Sequence, residues 1–245
     1  MTETELLWHT RPTDDSVFFA SELAPFGIKS IVGPVLHIAK KPVTSLMPRM
    51  PNALLLTSRH ACHALAAMPA NWRALPTYCV GNATAKAAAE HGFTRIISGT
   101  FDVQALLPRL AGEVLSGSTL LYLAGDETRA DVKNLLAARG IEVTMNVVYY
   151  ALAEPALDAE MVAALAAGKV SGVALFSPRT ARIASELMQQ AGLTDAATRI
   201  TAYCFSLNVA EIAGLTPWAA LHTCNAPTRR AMRELIVSHH AKKRV

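Results

Sequence analysis

The chain repeats itself, and that restricts its fold more than any other feature. The segment LLWHTRPTDDSVFFASELAPFGI (6–28) returns as LLYLAGDETRADVKNLLAARGI (120–141), with Arg11 and Arg129 in corresponding places 118 positions apart. LLLTSRHACHALA (54–66) returns as VALFSPRTARIASEL (173–187), where Ser58 matches Ser177 at a spacing of 119. TYCVGNATAKAAAEHGF (77–93) returns as AYCFSLNVAEIAGL (202–215), with Cys79 and Cys204 separated by 125. Three matches in one order and at similar spacings are what an old internal duplication leaves behind.

Each repeated segment has the same physical form. A short apolar run bounded by Gly, Ser, Thr, Asn or Pro leads into apolar residues at helical spacing, which reads as strand, tight turn and helix. Successive βα units of this kind build a mostly parallel sheet covered on both faces, and right-handed crossovers bring every βα turn to one edge. That edge is where open α/β folds bind ligands. The expected fold class is α/β, with mostly parallel sheets flanked by helices in the flavodoxin or Rossmann manner. A chain of 245 residues with 51% hydrophobic content has enough apolar material for one large domain or two small ones.

Thr57, Ser58, Asn82, Thr84, Ser177 and Ser206 stand where a side-chain oxygen can cap the first helical amides, and Pro12 and Pro178 suit a first helical turn. Taken singly, such positions are caps. Taken together, several helix N-termini at one edge surround a common space with free amides and positive dipole ends, which suits carboxylates or phosphates. None of the turns is a G-x-G-x-x-G or Walker loop, so neither a dinucleotide nor a nucleoside triphosphate is supported. No G-x-S-x-G surrounds Ser58 or Ser177, which argues against a serine hydrolase.

Two extended stretches, IKSIVGPVLHIAKKP (28–42) and EVTMNVVYYALAEP (142–155), separate the first and second segments of each half. Aligned from Gly27 and Gly140, they set Leu36 against Tyr149 and His37 against Tyr150, so only one half carries the tyrosines. Adjacent residues of a strand face opposite ways, so at most one of the two can point into a given site. Both also fit a strand through β propensity alone.

The formal charge of +4 favours an anionic partner. The basic residues form no nucleic-acid stripe, and the tail around His239-His240 and Lys242-Lys243-Arg244 reads as a solvated helix end, so no nucleic-acid partner is expected. Cys62, Cys79, Cys204 and Cys224 are scattered with no CxxC pair, the pattern of reduced, buried thiols. His60, Cys62 and His63 lie close in sequence, but at a helix start their spacing converges on no single point, and no metal is expected. No apolar stretch reaches the ~20 residues of a membrane span, and Met1-Thr2-Glu3-Thr4-Glu5 is acidic where a secretory signal is basic. The expectation is a soluble cytoplasmic protein without a membrane partner.

Thr10-Arg11-Pro12, Pro34, Leu56-Thr57-Ser58, Val80-Gly81-Asn82-Ala83-Thr84-Ala85, Gly125 with Arg129, Val148-Tyr149 and Phe176-Ser177-Pro178-Arg179-Thr180-Ala181 together resemble the uroporphyrinogen-III synthase family over almost the whole chain. The resemblance implies two α/β lobes joined by two extended hinge strands, with the active site in the cleft between them. It implies a discontinuous first lobe of residues 1–37 plus 153–245, an inserted lobe of 40–149, and links at about 38–39 and 150–152. It also implies a reaction that closes the linear tetrapyrrole hydroxymethylbilane, inverts its last ring and expels water, with no cofactor. Tyr149 matches the family's tyrosine that assists departure of the hydroxyl. Arg11, Pro12, Thr57, Ser58, Arg59, Gly81, Asn82, Thr84, Gly125, Arg129, Ser177, Pro178, Arg179 and Ser206 are the candidate substrate-binding set for its acetates and propionates. A monomer, fed by transient hand-over from the preceding pathway enzyme, is expected.

The sequence departs from the family pattern at its last βα turn, where Ser206-Leu207-Asn208-Val209-Ala210 stands in place of Gly-Pro-x-Thr-Ala. Two other readings fit the same two-lobe grammar. One is a non-catalytic bilobed binder of an anionic small molecule, the other a regulatory protein that retains the synthase fold.

Overall fold

The computed structural model describes residues 5–43, 49–98, 103–127 and 132–243. Its first strands are β1 (Leu6–His9), β2 (Lys29–Val32), β3 (Leu36–Lys40), β4 (Ala53–Leu56), β5 (Thr77–Cys79) and β6 (Ile96–Ile97). β7 (Thr119–Gly125), β8 (Glu142–Ala153), β9 (Val170–Leu175), β10 (Thr201–Cys204) and β11 (Ala220–Thr223) follow. The α-helices are α1 (Thr13–Leu23), α2 (Asn82–Glu90), α3 (Val103–Glu113), α4 (Val132–Ala137), α5 (Ala159–Ala166), α6 (Pro178–Gln190), α7 (Leu207–Ala213) and α8 (Arg229–Lys243).

The backbone divides into two compact units, Met1–His37 with Leu152–Val245, and Ile38–Ala151. In the first, the sheet order is β11-β10-β9-β1-β2 and neighbouring strands pair in parallel. Numbered along the chain and read from β2, this is the flavodoxin-like order 2-1-3-4-5. In the second unit the order is β3-β8-β7-β4-β5-β6, and β8-β7-β4-β5-β6 repeats the same arrangement when β7 and β8 are taken as first and second. The order explains the repeats. Each unit combines the first two strands of one repeat with the last three of the other, so the duplicated halves have exchanged strands.

That exchange requires the chain to pass between units twice. Residues 28–42, one extended stretch by sequence, are broken by Gly33-Pro34 into β2, which pairs with β1, and β3, which lies beside β8. Residues Glu142–Ala153 run without a break as β8. The Trp8 indole nitrogen donates to the Gly33 carbonyl at 2.6 Å, so the break is pinned to the core of the first unit.

Both sheets are covered on both faces, as parallel strands with alternating buried side chains require. In the first unit Trp8, Val173, Leu175 and Cys204 pack against Met161, Leu165, Ile183, Leu187 and Val209 of α5, α6 and α7. Leu7, Ala174 and Tyr203 point the other way, onto Phe19 and Leu23 of α1 and Met232 and Ile236 of α8. In the second unit Leu54, Leu56, Leu121 and Leu123 form one face. Leu55, Tyr78, Leu120 and Tyr122 form the other, beneath Leu106 and Leu110 of α3 and Leu136 of α4. Among the described residues no helix is long and apolar enough to cross a membrane.

The alanine-rich segment after β4 departs from the α-helical expectation. Arg59–Ala67 is a 3-10 helix of nine residues, longer than the usual three or four, and no local residue accounts for its tighter winding.

Candidate active site

Strand order reverses direction at β1/β9 in the first unit and at β7/β4 in the second. Such switch points open a crevice beyond the carboxyl ends of the strands. Among the described candidates, Arg11, Pro12, Ser177, Pro178 and Arg179 follow β1 and β9, and Thr57, Ser58, Arg59 and Gly125 lie at the ends of β4 and β7, whereas Gly81, Asn82 and Thr84 follow β5 and Ser206 follows β10, away from the switch points.

In the first unit, the turn after β1 carries Arg11 and the turn after β9 carries Phe176 and Ser177. The Arg11 guanidinium donates to Asp15 at 2.8 Å and lies 5.0 Å above the Phe176 ring. Thr10, fully buried, donates its hydroxyl to the Ala174 carbonyl at 2.8 Å and ties the two strand ends together. Ser177 caps α6 in a capping box: its hydroxyl accepts from the Thr180 amide at 3.1 Å, and the Thr180 hydroxyl accepts from the Ser177 amide at 3.1 Å. Pro178 is the first residue of α6, where its missing N–H costs no helical bond. Pro12 stands at the N-cap position of α1, one place before the first helical turn, and makes no side-chain cap. Arg179 is half-buried in the first turn of α6. Ser206 occupies the N-cap position of α7, but its side chain makes no cap bond, contrary to expectation.

In the second unit, the Ser58 hydroxyl accepts from the His60 amide at 3.2 Å and caps the 3-10 helix that begins at Arg59. Thr57 does not cap. Its hydroxyl shares a 3.0 Å hydrogen bond with the Tyr122 phenol, whose pKa is raised chiefly by burial. The N-cap of α2 is Gly81, with φ of 76°, a left-handed conformation that glycine adopts without steric cost. Asn82 is therefore the first helical residue and Thr84 a buried one within the helix, so neither takes the cap role assigned to it. Arg129 lies outside the described residues.

Tyr149 is placed by an irregularity. Along β7 and β8 the pairing runs from Thr119↔Glu142 to Ala124↔Val147, then slips so that Gly125 faces Tyr149 and Val148 is the extra residue. Val148 and Tyr149, adjacent in sequence, both pack against the core of Leu54, Leu56, Leu121 and Leu123. Strict strand alternation forbids that, and a bulge permits it by re-aiming a side chain. Tyr150 is 37% exposed, with the Lys41 ammonium 6.0 Å from its ring.

Three residues around Tyr149 were absent from the candidate site set. The His60 ring lies 5.9 Å from the Tyr149 ring at 60°. Asp126 accepts from the Ala151 amide through its carboxylate at 3.1 Å and donates its own amide to the Tyr149 carbonyl at 3.1 Å. Tyr122 is the third, through its bond to Thr57. The sequence signal for His60 and Asp126 was position, beside Arg59 and Gly125, and Tyr122, inside β7, carried none.

The family model described as uroporphyrinogen-III synthase HemD matches residues 18–234, most of the chain. The chain belongs to the uroporphyrinogen-III synthase family. As a member it is a cyclising hydro-lyase of tetrapyrrole biosynthesis acting on a small tetrapyrrole substrate. Two solved structures share the fold. Uroporphyrinogen-III synthetase from Helicobacter pylori is 20% identical, with TM-score 0.61 over 96% of this chain and 98% of that one. A mutant uroporphyrinogen III synthase from the extremely thermophilic bacterium Thermus thermophilus is 18% identical, with TM-score 0.56 over 98% and 100% of the respective chains. No curated protein matches the sequence.

For a synthase of this family the thiols are chemically quiet. Burial pushes Cys62, Cys79 and Cys204 up to about 12 and Cys224 up to about 11, so none is a thiolate at neutral pH. Among the described residues no group of His, Cys, Asp and Glu is arranged to hold a metal ion.

Proposed function

We propose that the turns at the two switch points hold the acetates and propionates of hydroxymethylbilane, and that Tyr149 donates a proton to its departing hydroxyl. The observation that carries this reading is the seating of the Tyr149 ring against Gly125, at the carboxyl edge of β7 and beside the turn that follows β4. Backbone amides opening α6 at the first switch point, and α2 after the neighbouring β5, supply positive potential for carboxylates together with Arg11, Arg59, Arg129 and Arg179. The pyrrole nitrogen of the substrate pushes the hydroxyl out as the phenol protonates it, giving water. The proton released when the ring closes returns to the phenolate. This chemistry uses side chains alone, and the enzyme works in the cytoplasm as a monomer, without metal or organic cofactor. It receives its substrate by transient hand-over from the enzyme that makes the linear tetrapyrrole.

The test compares two single changes in folded protein. Tyr149→Phe slows turnover by at most the ~10²–10⁴ associated with a lost general acid, while the product remains the inverted isomer. Tyr150→Phe changes the rate far less. A fully active Tyr149→Phe beside a slow Tyr150→Phe contradicts the assignment.

A further inference from the structure

We propose that Gly125 is a positioning residue for Tyr149, present because its missing side chain leaves the seat in which the phenol ring lies. This deepens, and rests on, the reading of Tyr149 as the proton donor. A Cβ built on Gly125 would lie 2.6 Å from Tyr149 Cζ, 2.7 Å from Cε2 and 2.8 Å from the hydroxyl oxygen, each far inside van der Waals contact. Glycine is needed there for space and not for backbone freedom, because Gly125 is not among the positive-φ glycines. Gly81 is the opposite case, with φ of 76° and nothing within 4 Å of a Cβ.

The surroundings divide the work of holding Tyr149. Asp126, next to Gly125, grips the backbone on either side of Tyr150, through the Tyr149 carbonyl and the Ala151 amide at 3.1 Å each. The slip at Val148 aims the side chain. The ring then lies against Gly125, with the His60 imidazole 5.9 Å away. Any side chain at 125 meets the outer end of a side chain with rotatable bonds, so the ring yields while strand pairing stays. The substitution therefore displaces the phenol without unfolding the sheet. A displacement of about 1 Å is enough to cost up to ~10²-fold in rate.

The experiment is Gly125→Ala in the full chain, alone and combined with Tyr149→Phe, with 3-fluorotyrosine incorporated for ¹⁹F spectra. The five tyrosines give a tractable spectrum, and Tyr149 is assigned by its absence in Tyr149→Phe. Gly125→Ala is expected to shift the Tyr149 resonance more than the other four. It should lower kcat ~10- to 10²-fold with KM nearly unchanged, and add little loss in the Tyr149→Phe background. An unmoved Tyr149 resonance overturns the seat. A loss confined to KM, or one that multiplies in the double variant, overturns positioning in favour of direct substrate contact at 125. A moved resonance with unchanged kcat overturns the catalytic consequence. In that case Tyr149→Phe shows whether the proton-donor reading has failed as well or only the link from Gly125 to it.

Discussion

Gly125 and Tyr149 are partners across β7 and β8, and the tyrosine ring occupies the space that a side chain on Gly125 would need. The pairing exists only because the register slips by one residue at Val148. The Tyr149 phenol is thus brought to the carboxyl edge of the sheet by a local irregularity rather than by the regular alternation of the strand.

The capping box at the start of α6 predicts a stability effect. Ser177→Ala removes the acceptor for the Thr180 amide and costs about 1 kcal/mol, which lowers Tm by ~2–4 °C for a chain of this size. Ser177→Asp, which keeps an acceptor, retains most of that stability. Thermal unfolding of the two variants checks the cap. A large rise in KM with unaltered Tm would instead make the hydroxyl a substrate ligand.

His9 predicts a pH dependence. It is 2% exposed, shares a 2.8 Å hydrogen bond with Ser30, and has no partner for Nδ1 among the described residues. Burial lowers its pKa from the ordinary 6.5 to about 4. Between those values the unfolded chain binds a proton that the folded chain does not, so stability is full above pH ~6.5 and falls on acidification towards pH ~4. The loss from this group reaches about 3 kcal/mol. Urea unfolding across that range should show a shallower decline in His9→Gln than in the parent. Parallel curves would contradict the assignment.

Arg11 is held by Asp15 and stacked over Phe176 at the first switch point. If it attracts substrate carboxylates, Arg11→Gln raises KM modestly, and more at low than at high ionic strength, because exposed charges are screened over ~8–10 Å in physiological salt. An unchanged KM at low salt would remove Arg11 from the binding set.

Activity should survive chelator treatment followed by exhaustive dialysis. Activity lost on that treatment and restored by one particular metal would contradict chemistry carried by side chains alone.

Residue type and periodicity made much of the fold legible. Alternating strand and helix periods around turn residues indicated parallel α/β construction, and the caps at Ser58 and Ser177 followed from residue type. The caps at Thr57, Asn82, Thr84 and Ser206 did not form, because the first residue of a helix depends on a single step of backbone geometry that tertiary packing decides. Gly81 took the cap before Asn82, and Tyr122 engaged Thr57 from a distant strand. The repeats revealed duplication, but strand order depends on pairing between remote segments, so periodicity could not disclose the exchange of strands. The slip at Val148 is likewise a property of two strands together. For that reason Gly125 looked like a substrate contact in the sequence and acquires a different neighbour, Tyr149, in the structure.

As a uroporphyrinogen-III synthase, this chain should make the inverted cyclic tetrapyrrole. Purified protein is incubated with enzymatically generated hydroxymethylbilane, and the oxidised products are resolved by isomer. Uroporphyrinogen III, read as uroporphyrin III after oxidation, should predominate in an amount that grows with enzyme concentration. Only the uninverted isomer, formed at the rate seen without protein, would show that the chain binds or regulates and does not catalyse.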